Sequence, residues 1–148
     1  MILNRQRRVP ISVPALRKFY ERARQELGFP HDSITIELIG DREMARLNET
    51  YRKKHGPTDV LSFPAHGSGE NGAHTLHAEG NGYIGDIAIS PETARRNARR
   101  FSRTLPEEMR ILILHGMIHL AGYDHETDHG EMERLERRLR KRLGVAER

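Results

Sequence analysis

The stretch Pro106–Ala121 constrains this chain more than any other. Met109, Ile111, Leu112, Ile113, Leu114, Met117, Ile118 and Leu120 leave it almost no polar face. A helix that is apolar nearly all round must be buried, so the rest of the chain has to wrap it. Its limits are written locally. Thr104 and Glu107 have the spacing of a capping box, and Gly122 stands where the helix must stop. The apolar run is interrupted by His115, Gly116 and His119 and is too short to span a bilayer.

The wrapping can be read in outline. Residues 1–4 are a candidate first strand. Leu16, Phe19, Tyr20, Ala23 and Leu27 recur at helical spacing over Pro14–Leu27, and Gly28 closes that helix. Ser33–Ile39 alternates Ile34, Ile36 and Leu38 against Thr35 and Glu37, the pattern of a half-buried strand. Asp41 is the expected cap of a helix bearing Met44, Leu47 and Tyr51. Thr58–Phe63 and Tyr83–Ile89 read as strands. Between them the glycine-rich residues 65–82 read as a mobile loop rather than a domain boundary. Ser90 caps a helix with Pro91 as its first residue. Asp128 with Glu131 is the expected cap of a last helix, whose stripe is Met132, Leu135, Leu139 and Leu143 and whose stop is Gly144. The expected fold is α+β: one domain over residues 1–148, a small mixed sheet of about four strands covered by about five helices, with a metal site on the central buried helix.

Two histidines on a buried helix need partners for their ring nitrogens. His115 and His119 are four residues apart, so both imidazoles leave one face. A divalent metal ion would serve both. His125 lies six positions past His119; Gly122 breaks the helix first and lets the chain turn back, so His125 is the expected third ligand. The resulting H-x3-H-x2-G-x2-H has the zincin spacing, but the residue after the first histidine is Gly116 and not the glutamate that a metalloprotease uses as general base. Three neutral imidazoles leave an ion its full charge and an open position, the catalytic type of zinc site. His66, His74 and His77 fall in the glycine-rich loop and read as solvated, as does His129 near a helix start.

Composition limits the chemistry. The chain has 148 residues and no cysteine, which removes disulfides, thiolate catalysis and Cys-based metal sites. MILNRQRRVP is followed by no apolar h-region, so no secretory signal is expected, and the expected location is the cytoplasm with no membrane partner. Lysine plus arginine number 25 against 21 acidic residues, an excess that permits a nucleic-acid partner. Arg95, Arg96, Arg99, Arg100 and Arg103 share one expected helix, on which Arg96, Arg99, Arg100 and Arg103 read as a compact basic ridge without internal partners, a surface for RNA phosphates. In the last helix, Glu133 precedes Arg137 and Glu136 precedes Arg140, the pairing of an ordinary solvated face.

Three segments carry a resemblance. L-H-G-M-I-H-L-A-G-Y-D-H (114–125), L-N-E-T-Y-R-K-K-H-G-P-T-D-V-L-S-F-P (47–64) and G-D-I-A-I-S (85–90) resemble, in order and spacing, the YbeY family of metal-dependent endoribonucleases. His55 stands where an acidic residue is expected, and the loop at 65–82 is long. The resemblance implies one Zn2+ per chain held by His115, His119 and His125, and cleavage of single-stranded RNA. It also implies a role in small-subunit rRNA maturation and ribosome quality control, with the ribosome as a partner and ribosome-assembly proteins as further candidates. It makes Arg52 the functional arginine; on the residues alone Arg52 reads as a surface side chain. The expected catalytic set is Arg52, His115 and Asp86.

Asp86 shares a strand face with Ile84 and Ala88, where a carboxylate needs a reason. It is open to bonding a ligand imidazole, taking a proton from the attacking group, or capping a turn. Asp124, beside His125, is the other candidate to support a ligand, and Asp59 reads as a strand-start residue. The general base, and the choice between water and the ribose 2′-hydroxyl as nucleophile, stay open. So do two other functions: an RNA-binding assembly factor with structural zinc, and a zinc peptidase, against which Gly116 speaks.

Overall fold

A computed structural model describes residues 1–65, 82–123 and 129–145. They form β1 (Ile2–Asn4), α1 (Val13–Leu27), β2 (Ile34–Leu38), α2 (Asp41–Arg52), β3 (Val60–Pro64), β4 (Gly85–Ile89), α3 (Pro91–Arg100), α4 (Leu105–Leu120) and α5 (Glu131–Leu143). Most limits follow the local signals. Ser90 and Thr104 cap α3 and α4 through their side chains, and Gly28 and Gly144 end α1 and α5 in the left-handed conformation.

The four strands form one mixed sheet in the order β1-β2-β4-β3. β1 and β4 both run parallel to β2, while the edge strand β3 is antiparallel to β4. The α+β expectation of about four strands and about five helices holds. On one face Ile2, Ile34, Ile36, Leu38, Ile87 and Ile89 pack against α1, α4 and α5. On the other, Leu61, Phe63 and Ala88 pack against Ile39 and Met44, with Tyr51 edge-on to Phe63 at 5.3 Å. Helix α4 lies at the centre, touching α1, α3, α5, β3 and β4. No helix of the described residues is long and apolar enough to cross a membrane.

Three local expectations are corrected. Strand β2 is buried on both faces, Thr35 and Glu37 included, because it sits inside the sheet with both neighbours paired. Asp41 is the first residue of α2, whose cap is Gly40. Its carboxylate instead accepts the hydroxyls of Ser90 at 2.6 Å and Thr93 at 2.7 Å, and Arg96 approaches at 2.8 Å. Burial works against the charge, yet these donors hold the Asp41 carboxyl below its ordinary value. Glu92 returns the contact by accepting the Asp41 backbone N–H at 3.0 Å, so the starts of α2 and α3 cap each other. Helix α5 is capped by Gly130, and Asp128 lies outside the described residues.

Candidate metal centre

The i, i+4 spacing on α4 brings the two imidazoles together as expected. The Nε2 atoms of His115 and His119 are 3.0 Å apart, with the rings edge to face and centroids 4.6 Å apart. Each ring's other nitrogen faces an acceptor. His119 Nδ1 lies 3.0 Å from the backbone oxygen of Tyr123. That oxygen is in reach because Gly122 turns the chain in the left-handed region at φ 99°. His115 Nδ1 lies 3.5 Å from the Glu136 carboxylate, delivered from α5. With both Nδ1 atoms donating, two Nε2 lone pairs point at one another, an arrangement that a proton or a cation must relieve. Two nitrogens at ~2.1 Å from a tetrahedral zinc stand about 3.4 Å apart, close to the observed spacing. The pair and its outer acceptors therefore fit a zinc ion.

Glu136 escaped the sequence reading. Its i, i+4 partner is Arg140, at 2.8 Å, but both side chains are buried instead of forming a solvated face. Burial alone would raise the Glu136 carboxyl. The His115 imidazole, by hydrogen bond and charge, and the Arg140 guanidinium bring it down to about 2. It is thus a fixed anion behind His115. The available signal was its place beside Met132 and Leu139 on the buried stripe, which pairing at i, i+4 masked.

The other expected residues are dispersed. His125 and Asp124 lie outside the described residues, as do His66, His74 and His77, so two of the three expected ligands are in view. Arg52 ends α2, exposed, and no hydrogen bond or ion pair engages its guanidinium among the described residues. Strand alternation sets the side on which Asp86 lies. Ile87 points at α4, so Asp86 points away, into the opposite face. There it accepts the Tyr83 hydroxyl at 2.5 Å, and that oxygen lies 2.8 Å from Thr35 Oγ1. Burial and the adjacent carboxylate hold the Tyr83 phenol well above its ordinary value, so it stays the donor. Asp86 therefore anchors Tyr83 and stands away from the histidine pair. Asp59 immediately precedes β3, accepting the Val60 N–H at 2.8 Å and the Asn97 amide at 3.2 Å. His129 is exposed just before α5, as expected.

Gly116 has a packing reason. A Cβ there would meet Ile87 Cδ1 at 3.0 Å and Ser62 Oγ at 3.2 Å, because α4 lies directly on β3 and β4. The zincin glutamate has no room at this position. Gly116→Ala is expected to lower stability by about 1 kcal/mol, crowding outweighing the better helix propensity. A urea midpoint shifted upward would show that α4 can back away from the sheet.

The basic ridge is partly committed, contrary to expectation. Arg103 pairs with Glu108 at 2.6 Å, and Arg96 with Asp41. Arg95, Arg99 and Arg100 engage no acidic group among the described residues.

Residues 1–144 match the family described as Endoribonuclease YbeY. An Endoribonuclease YbeY of Solibacter usitatus is 43% identical over 143 residues, 94% of this chain and 86% of that one. One of Geobacter metallireducens is 38% identical, covering 99% of this chain and 95% of its own. A solution structure of a Thermotoga maritima protein is similar with a TM-score of 0.60 at 26% identity, covering 97% of this chain and 89% of that one. The chain belongs to the endoribonuclease YbeY family.

Proposed function

We propose that this protein is a zinc-dependent endoribonuclease that cuts single-stranded RNA, acting in the cytoplasm in small-subunit rRNA maturation and ribosome quality control. The observation that carries it is the histidine pair on α4, with Nε2 atoms 3.0 Å apart and both outer nitrogens tied to acceptors. His115 and His119, with His125 from the segment beyond Gly122, are the residues to hold the ion. Zinc bound there would supply Lewis-acid polarisation of a phosphoryl oxygen and activation of the nucleophile.

The chain's own groups do the rest. The Glu136 carboxylate fixes the His115 ring and its tautomer, and the Tyr123 carbonyl does the same for His119. Arg52 carries an exposed guanidinium, uncommitted among the described residues, that can take two non-bridging phosphate oxygens at once. Phosphodiester cleavage develops charge on those oxygens, so a bidentate clamp favours the transition state. Gly116 argues against a zincin-type peptidase, because the glutamate that would take the proton cannot be seated.

Defined single- and double-stranded RNAs, offered to metal-loaded and chelator-stripped protein, test the reading. Cleavage of single strands by the loaded protein alone is expected. Equal cleavage after stripping would remove the metal from the reaction, and none under either condition would favour an RNA-binding assembly role. In the same assay Arg52→Ala is expected to lower cleavage about 100-fold. Elemental analysis should still find one zinc per chain; lost zinc would make Arg52 structural.

A further inference from the structure

Phe101 is 55% exposed at the end of α3, in a chain that buries Phe19, Tyr20, Phe63 and Tyr83 almost completely. Its ring is held from one side. The Arg103 guanidinium lies over it, 5.1 Å from the centroid. Arg103 is itself fixed, with 7% of its side chain exposed and its guanidinium 2.6 Å from Glu108, whose side chain is 2% exposed. The backbone is pinned too. Phe101 N–H donates to Asn97 O at 3.0 Å, and Arg103 N–H to Ala98 O at 2.8 Å, around Ser102 in the left-handed region at φ 56°. An exposed aromatic is therefore presented in one orientation, with Arg99 and Arg100 exposed just before it and free of acidic partners among the described residues.

We propose that Phe101 is a stacking platform for a base of single-stranded RNA, with Arg99 and Arg100 on the flanking phosphates. The chemistry selects the occupant. A rigid π-face offers stacking to any base, and exposed guanidinium groups beside it attract a polyanion, the combination that binds single strands without reading sequence. A duplex hides its base faces and cannot use the ring. The platform stands at the start of α4 and the histidine pair in its second half, about 15–20 Å along the helix axis. A bound strand would thus be held several nucleotides from the cut. That link rests on the ribonuclease reading; the stacking does not.

The chain contains no tryptophan, so Phe101→Trp puts its only indole at the platform, excited selectively at the red edge beyond the tyrosines. Titration with a uridine 20-mer should quench it saturably, and a duplex of equal length should not. Phe101→Ala should weaken 20-mer binding about 5- to 20-fold, and Phe101→Tyr should restore it. Arg99→Ala with Arg100→Ala should cut the salt slope by roughly 1.4. Binding of the 20-mer without quenching, or with equal affinity in Phe101→Ala, overturns the platform and leaves the ribonuclease proposal standing. Quenching without cleavage by the zinc-loaded protein supports the platform and overturns the ribonuclease.

Discussion

His115→Ala is expected to abolish RNA cleavage, by a thousandfold or more, in a protein that still folds and still binds RNA. The size follows from the chemistry. A Lewis acid at a phosphoryl oxygen contributes several kcal/mol, and about 4 kcal/mol is already a factor of 10³. The fold should survive, because the burial of α4 is carried by Met109, Ile111, Ile113, Leu114, Met117 and Ile118, and Glu136 keeps Arg140 as its partner. RNA affinity should survive because Arg52, Arg99 and Arg100 are untouched. His119→Ala should fall as far, and the double variant no further, since two ligands of one ion act as a unit. Rates of cleavage, zinc content and affinity for a single-stranded RNA, measured together, check this. Full cleavage by His115→Ala would take the pair out of the reaction.

The largest stability effect is expected at the Arg103–Glu108 pair. Glu108→Ala strands a guanidinium that is 7% exposed, and removing one partner of a buried ion pair costs about 3–5 kcal/mol. That is a large share of the ~5–15 kcal/mol by which a domain is stable. Arg103→Met together with Glu108→Leu should recover most of the loss, because no charge is then left buried and the volumes are similar. Urea unfolding of the single and double variants measures both. A loss below 1 kcal/mol in Glu108→Ala would mean that water reaches the pair and that Phe101 stands on a softer support.

These two sites differ in how far the sequence disclosed them. His115 and His119 were readable because both the helix and the pair are local: an apolar run sets the helix, and a spacing of four sets the common face. The same holds for Ser90 before Pro91 and Thr104 before Glu107, where cap and capped amide are three residues apart. Arg103 looked like one more member of a basic ridge, and nothing nearby announces that the turn at Ser102 carries it into contact with Glu108. Glu136 looked solvated because its i, i+4 arginine was the visible partner, while His115, 21 positions earlier, was not.

Asp86 separates the two kinds of knowledge. Its strand, and its side of that strand relative to Ala88, follow from a period of two. Which side faces α4 depends on how strands and helices stack, a long-range outcome that local spacing cannot express. By itself the sequence determined the elements, the Ser90 and Thr104 caps, the buried helix and the convergence of its two imidazoles, since all of these arise within about one helical turn or one strand repeat. Tertiary structure alone decided that Glu136 stands behind His115, that Asp86 turns away to Tyr83, and that Gly116 touches Ile87, because each contact joins segments brought together only by burying a shared apolar core.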